Sequence, residues 1–205
     1  MKIRNKKFIY LISPNKIINN LFYNNLNLVL KSKKVTFFQL RLKKENEKKI
    51  YIIAKKILKI CKKNKVKFII NDNPQLALKV NADGCHLGQK DMSIIKARRI
   101  LKNKILGVTC HNSLKLAKKA SLSGANYIAL GAFNASRTKK VIHKAEVKTL
   151  VKIKNSIKLP IVAIGGINEK NYKKLILNKA DFLAISGYIW NNKSFKPQDA
   201  IKRLK

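Results

Sequence analysis

Acid is what this sequence has least of. Nine Asp and Glu residues stand against 47 Lys and Arg, a formal net charge of +38. Long hydrophobic runs are missing too: none approaches the roughly 18 to 20 apolar residues of a membrane span, so no membrane partner is expected. Near the N-terminus the apolar stretch from Phe8 to Ile12 is shorter than the ~7–15 residues of a secretory signal core. No small-residue cleavage site follows it, and a cytoplasmic location is expected. Cysteine is scarce and scattered. Cys61, Cys85 and Cys110 are odd in number, far apart and in no C-x-x-C pair, which argues for reduced thiols and against a disulfide or zinc framework.

What remains is an ordinary globular chain. Its 205 residues and 46% hydrophobic content are enough for one domain, residues 1–205, with a substantial core. The basic charge has two readings. Basic chains often bind nucleic acid or anionic membranes. Here, however, lysine runs from end to end on polar helix faces, among abundant asparagine and isoleucine. A global compositional drift is the simpler account, and no nucleic-acid partner is expected. A field of this sign attracts phosphorylated small molecules in either case.

Strand-length apolar runs alternate with helical periodicity along the whole chain. Strands are predicted over 7–13, 35–42, 66–70, 84–87, 105–109, 127–130, 160–164 and 182–186. Helices are predicted over 16–30, 45–63, 74–80, 93–101, 113–121, 146–155, 169–177 and 197–204. The clearest helix, 45–63, carries Ile50, Ile53, Ala54, Ile57, Leu58 and Cys61 on one stripe. Eight strands in strict alternation with eight helices imply parallel pairing and right-handed crossovers, hence a compact (β/α)8 TIM barrel. An internal echo fits this. Ala82-Asp83, Ala125-Asn126 and Ala180-Asp181 precede strands four, six and eight, although Ala-Asx is also a common helix-to-strand turn.

Catalytic groups of such a barrel lie at the C-terminal strand ends. Strand three runs out in Asn71-Asp72, and strand four runs out through His86 and Gly88 to Asp91. Two of nine acids at two strand exits read as ligands for a divalent metal, since magnesium takes one or two carboxylates plus water and phosphate oxygens. The competing reading makes Asn71-Asp72 a turn before Pro74 and Asp91 a helix cap. His86 is a ligand contact or a satisfied core histidine. Strand two ends with Gln39, Arg41 and Lys43 in alternation on one face, where an anionic ligand would pair with them. Strand five offers Thr109 and His111. The loop after strand six offers Ser136, Thr138 and Lys139, hydroxyls and an ammonium suited to phosphate oxygens. Gly165-Gly166 and Ser186-Gly187 end strands seven and eight, where barrels often bind phosphate.

These strings, QLRLK (39–43), FIINDN (68–73), ADGCHLGQKD (82–91), GVTCHN (107–112), SRTK (136–139), AIGGI (163–167) and ISG (185–187), resemble the thiamine-phosphate synthase family in order and along nearly the whole chain. The resemblance implies a barrel that joins a pyrimidine diphosphate to a thiazole phosphate, with Mg2+, releasing pyrophosphate. It implies that Gln39, Arg41, Lys43 and Asn71 contact the pyrimidine and its diphosphate, and that Asp72 and Asp91 ligate Mg2+. Thr109, where the family commonly has serine, and Lys139 would bind the diphosphate substrate. Ser136, Thr138, Gly166, Ser186 and Gly187 would hold the thiazole phosphate. Arg41, Lys43 and Lys139 would carry the catalytic charge. The implied partners are small-molecule substrates, and a homo-oligomer is left open. The loop GAFNASRTKK (131–140) departs from the family pattern of prolines and threonine, with Ala132, Asn134, Ala135 and Ser136 as substitutions. Two rivals remain. A thiazole tautomerase barrel would use His111 and no metal. A non-catalytic basic barrel would rest on net charge alone.

Overall fold

The computed structural model describes residues 7–135 and 143–205. Eight parallel strands close into a barrel in sequence order: β1 (Ile9–Ile12), β2 (Val35–Leu40), β3 (Lys67–Asn71), β4 (Gly84–Leu87), β5 (Ile105–His111), β6 (Tyr127–Gly131), β7 (Ile161–Ile164) and β8 (Phe182–Ile185), with β8 pairing back onto β1. Helices α1 (Leu21–Leu30), α2 (Glu47–Lys63), α3 (Pro74–Val80), α4 (Ile94–Leu101), α5 (Leu114–Leu122), α6 (Val147–Ser156), α7 (Tyr172–Leu177), α8 (Gly187–Trp190) and α9 (Pro197–Lys202) cover it. The expected alternation holds, with α8 as an addition after β8. None of the helices described is long and apolar enough to cross a membrane.

Strand alternation splits the apolar residues into two cores. Outward residues such as Leu11, Phe38, Phe68, Ile70, Leu106, Ile128 and Leu183 pack under the helices. Inward residues Tyr10, Ile12, Tyr127, Ala129, Val162 and Ala184 fill the barrel, with Phe37, Ile105, Ile164 and Phe182 against them. Large and small side chains share that narrow interior. Gly107 lies beside Tyr127 in the register, and a Cβ on it would fall 1.9 Å from the ring. Only a glycine leaves the tyrosine its place.

The Ala-Asx echo has a physical cause. The Asp83 carboxylate accepts the Phe68 N–H at 2.9 Å, the Asn126 amide accepts the Leu106 N–H at 2.8 Å, and the Asp181 carboxylate accepts the Ile161 N–H at 2.8 Å. Each Asx backbone N–H returns the bond to the carbonyl of the same strand residue. A cation completes each latch: Lys67 on Asp83, Arg98 on Asn126, Lys154 on Asp181. Three latches at alternate strands fasten the N-terminal end of the barrel.

Some boundaries move. The first helix begins at Leu21, not at residue 16, because Asn19-Asn20 interrupts the run; short amides compete with helical backbone bonds. β2 ends at Leu40, so Arg41 and Lys43 lie just beyond the strand. β5 extends to His111 through a bulge that skips Cys110, and His111 takes φ 53°. Bulges at a barrel rim re-aim the residue that follows.

Candidate active site

The two scarce acids meet. Asp72 follows β3 at φ 66° and donates its N–H to the His86 carbonyl at 2.8 Å. Capping of α3 falls instead to Asn73, which accepts the Leu76 N–H at 2.8 Å ahead of Pro74. Capping of α4 falls to Ser93. Both carboxylates are thus released from the helix-capping role. Asp91 folds back to accept the Gly88 N–H at 2.7 Å, and its carboxyl interacts directly with that of Asp72. Burial pushes the Asp91 carboxyl above its ordinary pKa, and the Asp72 carboxylate pushes it further; the Gly88 N–H and Lys43 pull the other way. Lys43 Nζ lies 3.0 Å from Asp72 Oδ2.

Like charges held together are relieved by a cation or a proton. Among the described residues no group of three or more His, Cys, Asp and Glu gathers to hold a metal. The pair itself supplies two hard oxygen donors, the set that a magnesium-type ion completes with water and phosphate oxygens. The residues fit such an ion.

The other strand ends carry further residues named from the sequence. Gln39, only 2% exposed, points inward above the barrel core. Its backbone carbonyl accepts the Ser13 N–H at 2.9 Å, which ties this strand end to that of β1. Ser13 ties the neighbouring strand ends together: its Oγ accepts the Arg41 N–H at 3.0 Å, and its carbonyl accepts the Ser186 hydroxyl at 3.0 Å. Asn71 ends β3 beside His86 in the register. Gly187 opens α8. Gly165 and Gly166 take φ 113° and 54°. A Cβ on Gly166 would lie 2.1 Å from the Ala135 carbonyl. Asn134 ties the described start of the divergent loop to the end of β7, its N–H and side-chain amide both donating to the Gly165 carbonyl at 3.2 Å. Ser136, Thr138 and Lys139 lie outside the described residues. His111 packs against His143 with ring centroids 4.2 Å apart.

Below the rim runs a buried polar chain that the sequence pattern did not reveal. Tyr10 and Tyr127 hydroxyls are 2.7 Å apart, Tyr127 Oη is 2.9 Å from His86 Nδ1, and His86 Nε2 is 2.8 Å from Thr109 Oγ1. His86 is therefore a satisfied interior histidine that also touches a rim residue. Burial drives its pKa down to about 4; Asp91 opposes the shift and Arg41 adds to it. The imidazole is neutral at pH 7. Gln89 donates its amide to the Thr109 carbonyl. The thiols are inert: burial pushes Cys110 up to about 12 and raises Cys61 and Cys85 further.

A closed parallel barrel with cations, a carboxylate pair and positive-φ glycines at the C-terminal ends of its strands has the layout of the phosphate-handling TIM-barrel enzymes. Comparison with known proteins narrows this. Residues 9–189 match the family described as thiamine monophosphate synthase. A thiamine-phosphate synthase of Pelagibacter ubique is 67% identical over 201 residues, covering 98% of this chain and 97% of its own. One from Clostridium acetobutylicum is 38% identical, covering 92% and 89%. The solved thiamine phosphate pyrophosphorylase from Pyrococcus furiosus superposes with a TM-score of 0.85 at 29% identity, covering 99% of this chain and 96% of its own. The chain belongs to the thiamine monophosphate synthase family, and is a transferase of thiamine biosynthesis.

Proposed function

We propose that this rim joins 4-amino-2-methyl-5-(diphosphooxymethyl)pyrimidine to a thiazole phosphate, with Mg2+ on Asp72 and Asp91, giving thiamine phosphate and pyrophosphate. The observation that carries the reading is the meeting of Asp72 and Asp91 beside Lys43, with the Asp91 carboxyl held above its ordinary pKa. When bound, the metal neutralises charge on the diphosphate.

The protein's own groups do the rest. Gln39 and Asn71 orient the pyrimidine. Arg41, Lys43 and Lys139 stabilise the charge that gathers on the departing pyrophosphate, and Thr109 donates to the diphosphate. Ser136, Thr138, Gly166, Ser186 and Gly187 hold the thiazole phosphate through hydroxyl and backbone N–H donors. The C–O bond to the diphosphate breaks first, the ring stabilises the methylene cation, and the thiazole nitrogen closes the new C–N bond with its lone pair. That nitrogen carries no proton, so no general base is needed.

Residues 1–205 act as one catalytic domain, in the cytoplasm, on small molecules. The carboxylate pair has no use in a metal-free tautomerase and disfavours a polyanion-binding barrel. The test is to mix both phosphorylated substrates with the full chain and Mg2+ and assay thiamine phosphate and pyrophosphate. Equal amounts of both products are expected. No product with Mg2+ present overturns the reading.

A further inference from the structure

The interior chain Tyr10–Tyr127–His86–Thr109 is short, closed at its lower end and open at its upper end. Tyr10 and Tyr127 are 2% and 3% exposed, and the Tyr10 hydroxyl has Tyr127 as its hydrogen-bond partner among the described residues. A neutral imidazole carries one N–H, so the chain has two directions. In the first, His86 donates from Nδ1 to Tyr127, Tyr127 donates to Tyr10, and the Tyr10 proton is left aimed into a dry aromatic interior beside Phe37. In the second, Tyr10 donates to Tyr127, Tyr127 donates to His86 Nδ1, and His86 Nε2–H donates to Thr109 Oγ1. Every buried proton then has an acceptor. A stranded donor is penalised far more than a spare lone pair, so the second direction wins.

The consequence appears at the rim. Thr109 Oγ1 receives its inner hydrogen bond from His86, so its own O–H is turned outward and is free to donate. We propose that Tyr10, Tyr127 and His86 form a one-way hydrogen-bond chain that locks His86 as the Nε2–H tautomer and presents the Thr109 hydroxyl as a donor to a diphosphate oxygen of the substrate. His86 and Tyr127 are positioning residues that act through Thr109. The direction of the chain follows from the free protein, whereas the identity of the acceptor rests on the proposed function above. The arrangement favours an anionic acceptor at this point and disfavours a ligand that offers a donor there. Gly107 is part of the device, since it makes room for the Tyr127 ring.

The experiment is long-range proton–nitrogen NMR of the histidine rings in the ligand-free, nitrogen-15-labelled full chain at pH 7. The chain has three histidines, and the His86→Gln variant identifies the signal of His86. A bare Nδ1 with protonated Nε2 is expected; Nδ1–H, an even mixture or a doubly protonated ring overturns the proposal. For Tyr127→Phe, a mixed tautomer is expected, with KM for the pyrimidine diphosphate raised about tenfold or more and kcat changed by less than about threefold. A fall in kcat with unchanged KM overturns the positioning role. If that variant does not fold, the wild-type spectrum still decides the tautomer. A wild-type Nε2–H signal in a chain that makes no thiamine phosphate would overturn the proposed function while leaving the hydrogen-bond direction intact.

Discussion

The two ends of this barrel treat acid in opposite ways. At the N-terminal end, Asp83 and Asp181 each hold a strand N–H and a lysine, and Asn126 does the same work with an arginine. At the C-terminal end, Asp72 and Asp91 face each other, and one of them is held above its ordinary pKa. The first arrangement satisfies every charge and fastens the fold. The second sets two carboxyl groups against each other, with Lys43 beside Asp72 as the cation. Side chains of the same type are thus kept apart, each with its own strand N–H and cation, at one end, and set against one another at the other.

Substitutions at each end should separate the two roles. Asp72→Ala is expected to reduce thiamine phosphate formation at least a hundredfold, about 2.7 kcal/mol of barrel chemistry, while circular dichroism and the unfolding midpoint stay near wild type. Activity within a few-fold of wild type would remove Asp72 from the metal site. His86 sits between the ends and sets a pH dependence. Its folded pKa of about 4 lies below the ordinary 6.5, so its contribution is complete above 6.5 and is lost as pH falls toward 4. The loss approaches about 3 kcal/mol, read as the difference in urea unfolding free energy between pH 7 and pH 4 for wild type against His86→Gln. A wild-type curve parallel to that of the variant would show that the imidazole titrates freely.

Asp181→Ala should do the reverse of Asp72→Ala. It strands the Ile161 N–H and frees Lys154, and should lower the unfolding free energy by about 2 kcal/mol with kcat near wild type. A loss of turnover without a loss of stability would mean that the N-terminal latches reach the chemistry. Lys139→Ala is the mildest, with turnover expected to fall by somewhat more than about tenfold, ~1.4 kcal/mol. Steady-state kinetics at saturating Mg2+ provide the measure, and an unchanged rate would return the charge on the departing pyrophosphate to Arg41 and Lys43.

Much of this contrast was legible in sequence because it rests on local rules. Helix α3 and strand β4 have the bounds that Pro74 and the GCHL run imply. The Asp72–Asp91 meeting could be read from the rarity of acid and the position of both residues just past a strand. Other features depend on partners distant in the chain. Tyr10 and Tyr127 counted as apolar residues in the strand pattern, and their hydroxyls acquired meaning only when β1, β4 and β6 were brought around one interior. The start of α1 was set by Asn19-Asn20 against a continuing apolar rhythm. The one-turn helix α8 is too short to leave a period. The Ala-Asx echo was visible, but the bond each Asx makes to the preceding strand was not.

Ser13 shows how closely the ends of β1, β2 and β8 are tied. Its hydroxyl steadies the Arg41 backbone and its carbonyl steadies Ser186, so one small residue at the end of β1 ties together the strand ends proposed to hold the diphosphate and the thiazole phosphate. The proposed reaction needs a carbon and a nitrogen brought to bonding distance from two cradles, and in this assignment both cradles hang from the same peg.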